Sequence, residues 1–509
     1  MRYTCVDTAE YLYPDITEYQ SGSKEIRILT PRGSYACAQI LFSDVKEPSL
    51  CVGTEGWNPE LYEMIPVHVE RNHGLDENNM APHMPERVAP YDLYDCFKPV
   101  SGTVSVGENG VCAVYLSEWI PADAEVGVRA AKVMVGDLVI PVTIEVSSVV
   151  VPEETLIQLV GYNRGQVCEK HGVALGTPEF EALDTAYLQM LRRMRQNALY
   201  CPGPRAVSLG DNKWEISFDA LETFMSKAMS MGYRVFNWGM GFRRSWQEAT
   251  ILVNGMESMS FECYCYLAQM LPALVRFLKE HGWLENFILG IADEPNYANA
   301  TEYRALCGLV RKLAPELKLM DAMSFGPVHG AIDIWIPLNA EYQHHRTEIE
   351  TFRTYGDEIW FYDCCGPRGG GTINRFMDYP LLATRYHFWA GYRYNLTGYL
   401  HWAANYYQPG QDPFKQSCPE HHNADAVCYL PAGDTHIMYP GDGAPWMSAR
   451  LEAQRASAEE YELFRALEAK DKTKADAICT SVCREFDSVD YDARHFRAAR
   501  NELIRALEA

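Results

Sequence analysis

Apolar and polar positions alternate in short runs through the first part of the chain. "KEIRILT", "CAVYLSEW" and "AAKVMVGDLVIPVTIEV" change face at every residue, and Pro, Gly, Asn and Asp separate them. A period of two is that of half-buried antiparallel strands, so residues 1–150 are expected to form a β-sandwich. The segment "SSVVVPEET" (147–155) reads as the link to the second part of the chain. From residue 156 apolar runs alternate with amphipathic helices, the signature of parallel βα units. Eight runs qualify: 156–162, 197–202, 233–239, 287–294, 317–324, 333–342, 358–365 and 397–407. Between them, Leu267, Met270, Leu271, Leu274, Val275 and Leu278 form one helical stripe, and Leu306, Leu309, Val310 and Leu313 another. The pattern predicts an α/β fold over residues 151–445, a (β/α)8 TIM barrel. Its fifth connection, "FGPVHGAI", is too short for a full helix. Beyond 445 only helical periods remain, so residues 446–509 are expected to form a helical extension on the outer surface of the barrel.

Composition narrows the partners. The 509 residues are 47% hydrophobic and 22% charged, as in a folded globular protein of two or more domains. A formal charge of −23, with no basic run longer than the Arg pairs at 192–193 and 243–244, argues against nucleic acid and anionic membranes as partners. No apolar run approaches the ~20 residues that span a bilayer. The start "MRYTCVDTAEYLYPDITEY" has no apolar core of a secretory signal, and sixteen cysteines then read as reduced thiols. The chain is accordingly expected to be cytoplasmic, with the sequons at Asn299 and Asn395 unused.

In such a barrel the chemistry sits where the strands end. Those ends are rich in aromatic and polar groups: Asn237 and Trp238 on the third, Asn339, Glu341 and Tyr342 on the sixth, Trp360, Tyr362 and Asp363 on the seventh, and His401, Trp402, Asn405 and Tyr406 on the eighth. Aromatic rings beside Asn, Asp and Glu are what sugars need, with apolar ring faces to stack and hydroxyls to bind. A single barrel Trp is more often core, and it is the clustering that favours a site. The fourth run is sharper still. "ILGIADEPNY" (288–297) delivers two adjacent acids, Asp293 and Glu294, from an apolar strand, where charge is costly unless used. Like charges this close, partly desolvated, keep one carboxyl protonated toward neutral pH, the profile of a general acid beside a charged helper. Neighbouring strand residues face opposite sides, so the pair reaches one pocket only where the strand turns into its loop.

The Asp-Glu pair, "WFYDCCGP", "NRFMDYPLLATRYHFWAGYRYNLTGYLHWAANYY" and "GDTHIMYPGDGAPWMSARLEAQ" together resemble glycoside hydrolase family 123, the β-N-acetylgalactosaminidases, and its uncharacterised relatives. The resemblance runs from mid-sandwich to residue 468 and is most specific in the fourth, seventh and eighth strands. It implies a retaining exo-hydrolysis of terminal β-linked N-acetylgalactosamine in which the substrate's own 2-acetamido oxygen attacks the anomeric carbon. It makes Glu294 the acid/base and Asp293 the group that orients the acetamide, with Trp360, Tyr362, Trp402 and Asn405 lining the sugar pocket. It implies a carbohydrate substrate and no cofactor or metal. One departure is "QRASAEEYE" (454–462), where relatives carry a Gly and an Asp-Tyr pair.

Two other readings compete. A conventional retaining glycosidase would use Asp363 as nucleophile, although the seventh strand offers no Glu. A non-catalytic carbohydrate-binding protein would have little use for both acids. Cys418, His421, His422 and Cys428 match no firm zinc spacing, and solvated loop residues are the better reading. Cys364 and Cys365 read as buried thiols, and "GPRGGG" (366–371) lacks the ending of a phosphate loop and reads as a flexible rim.

Overall fold

The computed structural model describes residues 1–75, 87–245, 248–323, 326–422 and 427–508. Phe325 of the short fifth connection and the His422 side chain lie outside the described residues.

The alternating runs become strands of two sheets. The larger has the order Arg2–Val6, Ser34–Ser43, Cys112–Ile120, Glu60–Val69, Tyr91–Val100, Pro445–Ser448, Met438–Pro440, antiparallel throughout. The smaller runs Ile26–Arg32, Leu138–Val150, Gly127–Val135, Ser49–Glu55, Thr103–Ser105, with only its first pair parallel. Ile40, Phe42, Val114 and Leu116 from the first meet Val52, Val133, Ile140 and Ile144 from the second in one apolar core. Alternation then sends Leu41 to the opposite face, into the core shared with the barrel. Both faces of the larger sheet are thus covered. Its last two strands come from beyond residue 437, where only a barrel segment and helices were expected.

The apolar runs after 156 form a parallel sheet of nine segments: Glu358–Ile359, Ile334–Pro337, Lys318–Met323, Phe287–Gly290, Val235–Gly239, Ala198–Tyr200, Ile157–Val160, Gly398–His401 and Phe361–Tyr362. The first and last are one run interrupted at Trp360. Glu358–Ile359 pairs with Ile334–Pro337, Phe361–Tyr362 pairs with Gly398–His401, and Tyr362 also bridges to Leu338. The two edges of the sheet are therefore chain neighbours, and the sheet curls into a nearly closed barrel. Leu159, Ile288, Met320, Ile336, Trp360 and Leu400 fill its interior. Helices cover the outside, among them Phe261–His281, whose stripe from Leu267 to Leu278 is buried as its spacing predicts. Among the described residues no helix joins the fifth strand to the sixth, in keeping with the short connection.

The C-terminal part departs from a surface extension. Helix Ala449–Val482 starts at Ser448, whose hydroxyl accepts the Leu451 N–H, and every residue from 449 to 464 is buried. Its polar side chains reach out on all sides. Glu452 accepts from Tyr115 of the large sheet, Gln454 donates to Gln158 of the first barrel strand, and Glu462 takes the Thr155 and Leu156 amides. The helix is a wedge between sheet and barrel, and its charged sequence, which reads as a solvated helix, serves internal partners. A hairpin of Cys483–Glu485 and Ser488–Val489, absent from the sequence expectation, precedes the last helix, Ala493–Glu508.

Candidate active site

The fourth barrel strand stops at Gly290, and the next three amides do not continue the sheet. The Ile291, Ala292 and Asp293 N–H groups all donate to the carboxylate of Asp321 on the fifth strand, at 3.1, 3.1 and 3.2 Å. Tyr303 donates its hydroxyl to the same carboxylate at 2.6 Å. The Glu294 N–H goes to the Ala322 carbonyl at 2.9 Å. On the other side Arg243 donates to the carbonyls of Asp293 and Glu294, at 2.7 and 3.1 Å. Between these anchors Asp293 and Glu294 take left-handed backbone, with φ of 44° and 38°. Such a conformation costs a non-glycine residue about 1–3 kcal/mol and persists only where surroundings impose it. It also breaks the strand alternation that would send two adjacent side chains to opposite faces.

The electrostatics reflect this crowding. Asp293 is open to solvent but recessed among protein groups. Burial first, then the Glu294 charge, then that of Asp321 push its carboxyl up to about 7. Asp321 itself rises to about 6 through burial, which outweighs the four bonds that favour its charged form. Glu294 accepts the Tyr362 hydroxyl at 2.6 Å. Burial and the Glu294 charge hold that phenol well above its ordinary range, so it stays a donor. A carboxyl that keeps a proton near neutrality sits beside a second carboxyl with a fixed donor, a set suited to proton transfer.

A cavity of about 510 Å³ opens at the same end of the barrel, lined by Tyr162, Asn163, Tyr200, Phe224, Trp402 and Tyr406 among others. Tyr200 is its wall on the side of the acids, since the Asp293 and Asp321 charges add to the burial that raises the Tyr200 phenol. Three phenols, an indole and amide groups make a surface that stacks and hydrogen-bonds.

The expected site residues divide. Asp293, Glu294 and Tyr362 come together, and Trp402 lines the cavity while its Nε1 donates to Asp434 at 2.9 Å. Asn405 exchanges two bonds with the backbone of Asn163, at 2.9 and 3.0 Å, and so fixes the rim rather than facing the cavity. Trp360 is 1% exposed inside the barrel and donates to Glu358, below the tyrosine that reaches Glu294. Trp238 alternates with inward-facing Asn237 and packs outward, over Gly203. Asn339 is fully buried and donates to the Ile373 carbonyl. Asp363 points away from the cavity, enclosed by Tyr399 at 2.8 Å and His387 at 2.6 Å.

Asp321, Tyr303, Arg243 and Tyr200 were not singled out in the sequence. For Asp321 a signal existed: an acid in the middle of "LKLMDAMS" is as costly as the pair itself. Arg243 and Tyr200 lie in loop and strand-end positions that no local pattern distinguishes.

The model of the glycoside hydrolase 123 catalytic domain matches residues 207–467. Among solved structures, a family 123 glycoside hydrolase from Clostridium perfringens, described for glycolipid glycan hydrolysis, superposes with a TM-score of 0.74 at 12% identity, covering 100% of this chain and 97% of that one. A family 39 glycoside hydrolase from Bacteroides cellulosilyticus WH2 aligns with a TM-score of 0.38 at 12% identity, covering 86% of this chain and 82% of that one. No curated protein sequence matches the chain.

Proposed function

The chain belongs to glycoside hydrolase family 123, and from that premise we propose that it is a retaining exo-glycosidase that removes terminal β-linked N-acetylgalactosamine with the help of the substrate's 2-acetamido group. We read its fold accordingly as a (β/α)8 barrel with no helix at its fifth connection among the described residues, fronted by a β-sandwich.

The observation that carries the reading is the origin of both acids in one left-handed turn. A retaining enzyme with its own nucleophile needs two carboxyls about 5–5.5 Å apart across the scissile bond. Adjacent residues of one turn serve better as a group on the acetamide and a group on the leaving oxygen. The seventh-strand carboxylate, Asp363, is enclosed by Tyr399 and His387, which supports the same choice.

In this reading the free pair carries one proton. The acetamide N–H donates to Asp293, which favours its charged form and leaves the proton to Glu294. Glu294 protonates the departing oxygen as the acetamido oxygen closes on the anomeric carbon, and Asp293 balances the positive charge of the ring so formed. Glu294, now charged and held by Tyr362, then takes a proton from the water that opens that ring. Trp402 and Tyr200 supply stacking surface.

Aryl β-N-acetylgalactosaminide, β-N-acetylglucosaminide and β-galactoside should be assayed side by side. The first is expected to be cleaved fastest and the last, lacking the acetamide, hardly at all; equal cleavage of the galactoside would rule out the substrate-assisted route. A thiazoline analogue of the bicyclic intermediate should inhibit competitively. Asp293→Asn and Glu294→Gln should each lose about 10²-fold or more, and an aryl group that leaves without protonation should rescue the second in preference to the first.

A further inference from the structure

The seventh strand runs on from Tyr362 into two neighbouring cysteines, Cys364 and Cys365, and then into the Gly-rich run "GPRGGG". The sequence reads both as buried thiols, yet each is only half-buried, because the barrel ends here and the Gly366 backbone next to them borders open space. The turn is held in place all the same. The Cys364 N–H donates to the Gly366 carbonyl at 3.0 Å, and the Asn374 amide donates to the carbonyls of Cys364 and Gly366 at 3.1 and 3.2 Å. The Gly369 N–H donates to the Tyr379 hydroxyl at 2.8 Å. Between these anchors the Arg368 Nε donates to the Cys365 carbonyl at 2.7 Å, and its guanidinium also bonds the Cys365 sulfur. The Cys364 thiol donates to that sulfur as well. The pair adjoins the acids. Tyr362, two residues before Cys364, donates to Glu294, and the Glu294 charge is felt at both sulfurs. The Cys365 charge is felt in turn at Asp434, the carboxyl that accepts from Trp402.

A half-exposed sulfur held by a guanidinium and a second thiol is the setting of a reactive cysteine. The bond from Cys364 first, then Arg368, outweigh burial and bring the Cys365 thiol down to about 6. The same bond and burial hold Cys364 well above its ordinary value, so it keeps its proton. Among the described residues no third His, Cys, Asp or Glu joins the two sulfurs in a group that could hold a metal ion, which leaves thiol chemistry. We propose that Cys365 is a modification site beside the acids, where a hydroperoxide oxidises its sulfur, Cys364 resolves the product as a disulfide, and glycoside hydrolysis stops. The Cys365 sulfur attacks one peroxide oxygen; an S–O bond forms, the O–O bond breaks and hydroxide leaves. Cys365 is then a sulfenic acid, oxidised by two electrons as the peroxide is reduced. The Cys364 sulfur next attacks the Cys365 sulfur; an S–S bond forms, the S–O bond breaks, and the hydroxide departs with the Cys364 proton as water. Neighbouring Cα atoms lie about 3.8 Å apart, closer than the roughly 4.4–6.8 Å of ordinary disulfides, so the bond is strained and a dithiol reopens it. Closing it draws on the strand end that carries Tyr362, the donor to Glu294. The loss of activity rests on the reading of Glu294 as acid/base; the chemistry of the sulfurs does not.

The test treats the reduced full chain with hydrogen peroxide near neutral pH, with and without the sulfenic-acid trap dimedone, and reads the peptides by mass spectrometry. The peptide carrying Cys364 and Cys365 is expected to lose two hydrogens and to regain them with dithiothreitol. It should react roughly tenfold or more ahead of the exposed Cys51, since a thiol that ionises near 6 is largely thiolate at that pH and an ordinary thiol only a few per cent. Cys364→Ser should stop the reaction at the sulfenic acid, with dimedone on Cys365, and Cys365→Ser should leave Cys364 unmodified. Arg368→Gln, which keeps both thiols, should slow the oxidation roughly tenfold, and it carries the test should a cysteine variant fail to fold. Hydrolysis of aryl β-N-acetylgalactosaminide should fall as the peptide oxidises, return with dithiothreitol, and resist peroxide in Cys365→Ser. Oxidation of Cys51 ahead of the pair, or dimedone on Cys364 in place of Cys365, overturns the site. An oxidised pair with undiminished hydrolysis overturns its hold on activity. A chain inactive before peroxide counts against the proposed function, while the peptide masses still decide the site.

Discussion

Asp321 sets the geometry of the acids without facing the cavity. Its carboxylate gathers three successive amides and the Tyr303 hydroxyl, so the left-handed turn at Asp293 and Glu294 depends on a charge one strand away. In Asp321→Asn one oxygen becomes an NH₂ group aimed at other donors. Charged hydrogen bonds contribute about 1.5–3 kcal/mol, so kcat should fall roughly ten- to hundredfold. The same change removes a negative charge that raises the Asp293 proton affinity. The alkaline limb of kcat/KM should therefore move to lower pH, a shift that a loss of folded protein would not produce. Tyr362→Phe makes the opposite case. It removes a donor that favours the charged form of Glu294, so the pair should keep its proton to higher pH and the alkaline limb should rise. Limbs moving in one direction for both variants would contradict this assignment of roles. The sequence marks Asp293 and Glu294 because charge on an apolar strand is a local signal, and Tyr362 through its place at a strand end and the family resemblance. It missed Asp321, although the same signal is present in "LKLMDAMS", because one acid draws less notice than two. Trp238 shows the converse: an aromatic residue at a strand end faces the site only if its parity is right, and Asn237 holds the inward position.

At the scale of elements, the eight barrel strands and their helical stripes were legible because each obeys its own local period. What joins them was not. Pro445–Ser448 reaches the large sheet with Met447 opposite Phe97, a pairing across some 350 positions that no local alternation announces. The burial of helix Ala449–Val482 was hidden for a related reason: its charges look solvated until their partners are known. Arg450 is the clearest instance. It is fully buried and its guanidinium meets Asp95 of the large sheet at 2.9–3.2 Å, while Tyr439 donates to the same carboxylate. Asp95→Ala leaves a guanidinium enclosed without its counter-charge, a change that costs about 3–5 kcal/mol. Urea denaturation should show that loss as a lower midpoint, and Asp95→Leu with Arg450→Met together should recover part of it, since no charge is then left enclosed, although the Tyr439 hydroxyl and the Gly433 and His436 carbonyls lose their partners. A loss below about 1 kcal/mol in the single variant would mean that the pair does not hold the wedge in place.

At the scale of the whole molecule, the buried titratable groups set how stability responds to pH. Burial pushes Asp378 up to about 7 and Asp434 up to about 8. It lowers His73 to about 4, and His401 and His436 well below their ordinary value. His73 lies 3.2 Å from Asp378, and His401 3.5 Å from Asp434. Within each pair the folded protein keeps one proton, on the carboxyl. Unfolded, at pH values between about 4 and 6.5, the same residues also hold one proton, on the imidazole. Within these two pairs the states are then balanced, while His436, kept neutral by burial, adds stability as pH rises toward 6.5. Above about 6.5 the unfolded imidazoles lose their protons while the folded carboxyls still hold theirs. The folded state now binds more protons, so stability falls as pH rises, by up to about 1.4 kcal/mol per pH unit for each excess proton. The fall ends once pH passes the folded values, near 8. Glu452, held at about 2 by Arg193 and Arg455 against its burial, does not titrate in this window. These pairs on their own lower the melting temperature between pH 6.5 and 8.5, and Cys365, whose thiol is lowered to about 6 by its bond from Cys364, acts in the opposite sense and offsets part of that decline. Asp434→Asn should flatten the decline, because its amide neither holds nor releases a proton. A melting temperature that climbs through that interval would mean the pairs are charged inside the folded protein.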